Sequence, residues 1–412
     1  CIDYAKEQNI TIRKNRITAA STQIDVKTAK AALFPSLSFS TSQQVVNRPY
    51  QETSSRVSGS EIISSNSKTS YNGNYGLNAS WTLYNGNKRL KTIQQEKLNN
   101  QMAELDVATS ENNIQESIAQ VYIQILYAAE SVKVNESTLQ VSIAQRDRGQ
   151  ELLNAGSIAK SDFAQLEAQV STDRYQLVTA QATLEDYKLQ LKQLLELDGE
   201  NEMNIYLPAL SDENVLAPLP TKKDVYIRAL SLRPEIEASK LNVEASELGI
   251  GIAKSSYLPT ISLSAGIGTN HTSGSDFTFG EQVKNGWNNS IGLSVSVPIF
   301  NNRQTKSAVQ KAKLQYETSM LSLLDEQKTL YKTIEGLWLD ANSAQQRYAA
   351  ANEKLKSTQI SYELISEQFN LGMKNTIELL TEKNNLLQAQ QEQLQAKYMA
   401  ILNMQLLKFY QG

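Results

Sequence analysis

From Lys88 to about Leu153 nothing in this sequence breaks a helix. Along it Ile118, Tyr122, Ile125, Ala129, Val132, Leu139 and Ile143 recur at alternating steps of four and three, missing only at Glu136. A period of 3.5 is the seam of a coiled coil. At 1.5 Å per residue a helix of about 65 residues is on the order of 100 Å long, several times the usual globular helix. A chain carrying such an element must be elongated. After a break at Gly156, the residues Phe163, Leu166, Val170, Leu177, Ala180, Leu184, Tyr187, Leu191 and Leu194 resume the rhythm. A second stretch, Arg303 to about Phe369, is equally unbroken, with a poorer seam at Ile334, Trp338, Tyr348 and Leu355. The other faces are Gln, Ser, Asn, Ala and charged residues, as helices facing water require.

The two long stretches belong to a plan that is written twice. The run from Ala29 to Ser40, with Pro35-Ser36-Leu37-Ser38, returns from Ala253 to Ser264 as Pro259-Thr260-Ile261-Ser262. Ser80-Trp81-Thr82-Leu83-Tyr84-Asn85 returns as Ser296-Val297-Pro298-Ile299-Phe300-Asn301, and Asn154-Ala155-Gly156 as Asn370-Leu371-Gly372. The last two pairs share one offset, so order and spacing repeat together. This predicts a tandem duplication of a unit of about 200 residues, too long for a solenoid repeat.

Each unit holds two stretches of strict alternation. Leu37 and Phe39, then Leu77, Ala79, Trp81 and Leu83, alternate with Ser38, Ser40, Asn78, Ser80 and Thr82. In the second unit Ile261, Leu263, Ala265 and Ile267, then Ile291, Leu293, Val295, Val297 and Ile299, do the same. Period two means a strand with one oily and one wet face. Four strands are expected, two per unit, joined within each pair by polar loops at about 47–74 and 268–288. With helices outside both hairpins, the two loops must share one end of the sheet.

The expected organisation is therefore a helix and lead-in over 1–32, a first hairpin over 33–87, and long coiled-coil helices over 88–196 with a turn near 154–161. A linker follows over 197–234, punctuated by Asp198-Gly199, Pro208, Pro218, Pro220 and Pro234 and expected to carry short elements rather than a core. The second unit has a helix at 235–256, a hairpin at 257–302, and long helices at 303–412 with a turn near 370–376.

Composition narrows the function classes. With 40% hydrophobic residues and a mean hydropathy of -0.41, the chain is too polar for a bundle of membrane helices, and no run approaches about 18 apolar residues. If it crosses a membrane it does so with strands, and four strands cannot close a barrel, since the smallest need about eight and open edges in lipid are prohibitively costly. Several chains must share the closure. A net charge of -3 with mixed signs leaves no basic footprint for nucleic acid. One cysteine and one histidine exclude a disulfide framework and a His/Cys metal site, and no nucleophile–base pair appears, so an enzyme is not expected and no cofactor is implied. Cys1 has two readings, a lipid-carrying cysteine or a helix residue left by trimming of a signal region. Ile2, Tyr4 and Ala5, which run straight into a helical pattern, favour the second.

The doubled unit, the strand starts PSLSFS and PTISLS, the strand exits WTLYNGNKR and VPIFNNR, and the turns NAGSIAKSDFAQLEAQ and NLGMKNTIELLTEKN together resemble the TolC family of outer-membrane efflux proteins, over essentially the whole chain. The resemblance implies a mixed α and β membrane protein of the Gram-negative outer membrane. Three chains would share a 12-stranded β-barrel, four strands each, continued by a long periplasmic α-helical coiled-coil barrel. It further implies a passive exit duct for efflux or type I secretion, gated at its periplasmic tip. The implied partners are two further copies of the chain, a periplasmic adaptor, an inner-membrane pump of RND or ABC type, and outer-membrane lipid. The rival from the residues alone is a structural or adhesive coiled-coil protein without a pore, which leaves the four strands unexplained.

Gly156 and Gly372 sit where each long helix must reverse, and a residue that takes positive φ ends a helix at little cost there. Under the resemblance these turns form the tip that meets the adaptor, with Gly156, Ser157, Ile158, Gly372 and Met373 as contact residues. Six positions after each glycine stands an acid, Asp162 and Glu378. The resemblance implies that Asp162 joins a latch with Lys374 and that Glu378 joins a carboxylate ring. Helix capping is the alternative: Asn375-x-x-Glu378 fits a capping box, and Asp162 falls in a first helical turn. The chain departs from the family where a second ring acid would stand, at Thr381, with Glu382 next door. It departs again at Phe369, an aromatic without the hydroxyl a latch would use. Trp81, Tyr84, Trp287 and Phe300 lie near strand ends, as membrane girdle residues or as ordinary core. His271, alone in a polar loop, makes no metal site.

Overall fold

The computed structural model describes residues 1–50, 68–198, 205–206, 215–275 and 277–412 in full, and 54–58 and 61–65 as backbone alone. The elements are α1 (Ile2–Gln8), α2 (Ile10–Ala31), β1 (Ser36–Asn47), β2 (Ser54–Ser58), β3 (Glu61–Ser65), β4 (Thr69–Asn85), α3 (Lys88–Asn154) and α4 (Lys160–Leu194). There follow α5 (Lys222–Leu232), α6 (Pro234–Ser255), β5 (Thr260–Thr272), α7 (Phe279–Asn285), β6 (Asn288–Ser296), α8 (Gln304–Asn370) and α9 (Thr376–Gln411). The order helix, two paired strands, long helix, second helix occurs in both halves, and α3 and α8 are each 67 residues long. No helix among the described residues is long and apolar enough to cross a membrane. The chain divides into two compact units, one of residues 19–102 and 240–322 and one of residues 1–18, 103–239 and 323–412.

The first unit holds an antiparallel sheet in the order β1-β4-β5-β6. Its register sorts the side chains by face: Leu37, Ala79, Ala265 and Ile291 form one cross-strand row, and Ser38, Asn78, Gly266 and Ser290 the next. Because the pleat alternates, the first row lies on one face and the second on the other. The oily face is exposed in the single chain, with Leu37 70% and Ile291 78% accessible.

Both loops are shorter than the alternation predicts. Strand β4 starts at Thr69, pairing with Asn47, and β5 continues to Thr272, opposite Asn72. Apart from Tyr71 and His271 the added residues are Asn, Gly, Ser and Thr, which carry no apolar alternation, yet the backbone ladder extends through them because each strand's donors and acceptors are met by its neighbour. The first loop adds the pair β2 and β3 and the second adds α7. Parts of the 47–74 loop, with Gly199 and Pro208 of the linker, lie outside the described residues.

At both strand exits two consecutive residues take positive φ: Gly86 (68°) and Asn87 (62°), then Asn302 (51°) and Arg303 (65°). The left-handed pair turns the chain out of the strand, so α8 begins at Gln304 rather than Arg303. Ser255 Oγ donates to the Gly86 carbonyl at 2.8 Å, and Arg89 Nη1 to the Ala32 carbonyl at 2.8 Å, fixing the first exit to neighbouring helix ends.

In the other unit Ala5, Ile118, Ile125, Leu191 and Leu195 form one core cluster, so α1 packs on α3 and α4. The lead-in helix expected over 1–32 is broken at Asn9. Its side-chain oxygen caps α2 through the Thr11 N–H at 2.9 Å, while its amide donates to the Leu194 carbonyl at 3.1 Å. The linker departs from expectation more sharply. Val215, Val225 and Ala229 are fully buried, in clusters with Leu330, Ile334, Tyr348 and Leu407. Trp338 Nε1 donates to the Pro220 carbonyl at 2.9 Å, and Gln345 Nε2 to the Val215 and Ala217 carbonyls. Prolines that interrupt helices do not prevent burial when neighbouring indole and amide groups satisfy the exposed carbonyls.

Candidate functional site

The residues singled out in the sequence fall in two parts of the molecule, the turns between paired long helices and the four-stranded sheet. At the first turn Gly156 has φ 73°, the Ser157 N–H bonds the Leu152 carbonyl at 2.8 Å, and the Gly156 N–H bonds the Leu153 carbonyl at 2.9 Å. At the second, Gly372 has φ 72°, with Met373 bonded to Gln368 at 2.8 Å and Gly372 to Phe369 at 2.9 Å. Both are Schellman motifs, in which a left-handed residue folds the chain back over the last helical carbonyls. Around the turns Ser157 is exposed, as are Leu371, Met373 and Ile377, whereas Ile158 is half-buried beside Gly149. A Cβ on Gly149 would stand 2.4 Å from Leu166 Cδ1, so α3 and α4 meet closely there.

The acids after each glycine have different surroundings. Asp162 Oδ2 accepts from the Ala159 N–H at 3.4 Å, closing only the reciprocal half of a capping box, since alanine has no side-chain acceptor. Glu378 completes a full box: its N–H donates to Asn375 Oδ1 at 2.9 Å and its Oε2 accepts from the Asn375 N–H at 3.2 Å. Its other oxygen accepts from Lys374 Nζ at 2.5 Å. Within the chain, then, Lys374 is the partner of Glu378. The Lys374 ammonium, then the Asn375 N–H, hold the Glu378 carboxyl below the usual carboxylate range. Glu382 reaches α8, accepting from Ser361 Oγ at 3.1 Å, and Phe369 is buried.

Ser142, Asp173 and Lys383, polar residues that an apolar seam pattern omits, are brought together in the interior between α3, α4 and α9. Lys383 Nζ donates to Asp173 Oδ2 and Ser142 Oγ, and Ser142 Oγ donates to Asp173 Oδ2. A signal was available: the steps 166, 170, 177 and 180 skip one seam position, and Asp173 fills it.

In the sheet Trp81 is 39% accessible and its indole donates to the Leu33 carbonyl at 2.7 Å, with Tyr84 half-buried nearby. Trp287 and Phe300 are exposed, before and after β6. His271 lies in β5 rather than in a loop, its ring 6.2 Å from that of Tyr75 and 5.2 Å from that of Phe279, and so helps seat α7.

The family model described as outer membrane efflux protein matches residues 1–196 and 225–412. The chain is 24% identical to the outer membrane efflux protein BepC of Brucella suis over 290 residues, covering 70% of this chain and 60% of that protein. It is also 24% identical to the outer membrane protein TolC of Escherichia coli K12 over 294 residues, covering 69% of this chain and 58% of that protein. The chain thus spans about three fifths of the length of the curated relatives it matches. Among solved structures, CusC superposes over 100% of this chain and 91% of its own, with a TM-score of 0.84 at 18% identity, and the outer-membrane channel OprN follows at 0.81 over 100% and 89%. Matched on both sides of its linker and along its whole fold, the chain belongs to the TolC family of outer membrane efflux proteins.

Proposed function

We propose that three copies of this chain, each a tandem duplication, close a 12-stranded barrel in the outer membrane of a Gram-negative bacterium. The barrel continues into a periplasmic α-barrel that serves as the exit duct of a tripartite efflux or secretion system. The observation that carries the reading is the four-stranded sheet with an exposed apolar face, a polar face behind it, and β1 and β6 at its edges. In lipid such a sheet is stable only when its edges pair with those of other copies. The helices attached to the edge strands support the same closure. On α2, which leads into β1, Ile10, Ile17 and Ile24 are exposed seven residues apart. On α8, which follows β6, Leu314 and Leu321, then Leu324 and Tyr331, are exposed at the same interval. A heptad stripe left open on each side suits a coiled-coil contact between neighbouring copies. Mass measurement in detergent should give a trimer, and planar bilayers should show conductance. A stable monomer, or solubility without detergent, would overturn the reading. The 47–74 and 268–288 loops face the cell exterior, so tags there are reachable on intact cells.

The turns form the periplasmic tip, closed at rest. Gly156, Ser157, Ile158, Gly372 and Met373 meet the adaptor, and the exposed Leu371 and Ile377 extend that surface. The adaptor and an inner-membrane pump open it. Asp162, Lys374, Glu378 and Glu382 are its gate residues, with Asp162 meeting Lys374 across copies and three Glu378 carboxylates around the axis.

Glu378→Gln should weaken cation selectivity without opening the pore, whereas Lys374→Glu should raise conductance by setting carboxylates against one another. The sign of the pH dependence follows from the depressed Glu378. A carboxylate whose folded value is lowered contributes fully above the ordinary value and loses that contribution as pH falls through the folded one. Selectivity should therefore persist to a pH below the ordinary glutamate value of about 4.3, and Lys374→Met, which removes the ammonium that lowers it, should raise the pH of its loss back toward that value. Wild-type conductance and selectivity in all three variants would leave these acids as helix caps only.

A further inference from the structure

The interior cluster of Ser142, Asp173 and Lys383 is unlike the rest of the seam. All three are almost fully buried, at 2%, 1% and 3% accessibility. The remaining Asp173 oxygen is met as well: Gln169 Nε2 donates to Oδ1 at 2.9 Å and reaches Asn384 Oδ1 at 3.4 Å. Asp173 lies in the α4 row of Leu166, Val170 and Leu177, and Lys383 in the α9 row of Leu379 and Leu386, where apolar side chains are the rule. A buried ion pair is no more stabilising than apolar residues of similar size, and removing one partner is strongly destabilising. What it does supply is a unique match. Leu379 and Leu386 on α9 stand seven residues apart, as do Val170, Leu177, Leu184 and Leu191 on α4, so α9 displaced by one heptad could still set a leucine against apolar neighbours, but Asp173 would face Gln390 or Thr376 and Lys383 would lose its carboxylate. Polar seam residues fix register in coiled coils by this means.

We propose that the Ser142–Asp173–Lys383 cluster is a register lock, holding α9 at one position on the α3–α4 hairpin. When the tip rearranges, only the segments between the cluster and the turns move, and α9 does not slide. The gating consequence rests on the gated-tip reading above; the lock itself does not.

The test uses the protein with Cys1→Ser, in which cysteines at Gln169 and Asn384 report the present register. Cysteines at Gln169 with Ile377, or at Gln169 with Gln391, report displacements of one heptad. In the parent only the 169–384 disulfide should form. Asp173→Leu with Lys383→Met should fold with an unfolding midpoint close to the parent's, yet form the 169–377 or 169–391 disulfide in addition. Formation of the 169–384 disulfide alone in that double variant would overturn the lock. If the double variant does not fold, the charge exchange Asp173→Lys with Lys383→Asp decides. It should restore the 169–384 disulfide lost in either single exchange, and a mixture of registers like that of the single variants would overturn the proposal. Conductance separates the two readings: displaced disulfides with parental conductance leave the lock standing and remove its part in gating.

Discussion

A lysine in place of Leu293 should keep this protein from assembling in the outer membrane. Leu293 is near the middle of β6, opposite Leu263, which in turn faces Trp81, and it is exposed on the apolar face. In a membrane barrel a lysine on the lipid face near the midplane costs about 2–4 kcal/mol, and three copies per trimer bring this to about 6–12 kcal/mol. At 1.4 kcal/mol per factor of ten, that is at least about four orders of magnitude in the assembly equilibrium. Ser294→Lys, one residue on, points to the polar face and should leave assembly intact. The measurement is the amount of trimer extracted by detergent from the outer-membrane fraction. Equal loss in both variants, or in neither, would overturn the assignment of the two faces.

The double variant Ile17→Asp, Ile24→Asp should convert the detergent-solubilised trimer to monomer. Both isoleucines are exposed on α2, at 70% and 60%, and neither supports the core of its own chain. Burying one such side chain against a neighbour is worth about 1.5–3 kcal/mol, so losing two removes about 3–6 kcal/mol from each of three interfaces, before any cost of burying the aspartates. Val178→Asp serves as control, because Val178 is comparably exposed but lies on α4, which carries neither stripe. A trimer of unchanged mass in the double variant would mean that the α2 stripe faces something other than a second copy.

The extent of α3 and α8, the two glycine turns and the Asn375–Glu378 cap were all legible in the sequence because each follows from residues within one or two helical turns of each other. The partner of Lys374 was less so. The resemblance assigned it to Asp162, while the chain by itself places it on Glu378, four residues away, where an i,i+4 approach needs no second element. The apolar period marks the seam at Leu166, Val170 and Leu191 but misses it in part of α3, where Asn135 and Ser142 are the buried residues beside the exposed Glu136 and half-buried Ile143. A buried asparagine or serine reads as a gap when only apolar residues are counted.

Hydrophobic period, helix breakers and capping residues determined where helices and the centres of strands lie, since these depend on free energies set locally, by side-chain direction and backbone dihedral preference. Tertiary structure alone decided the rest. The polar ends of β4 and β5 are strand because the neighbouring backbone takes up their hydrogen bonds, and Val215 and Val225 are core because α8 and α9 cover them. Lys383 is buried at all because Asp173, 210 residues away, and Ser142, 241 residues away, meet its ammonium. The desolvation of a charge is repaid only by a specific partner at contact distance, and no local pattern in the sequence specifies which distant residue that will be.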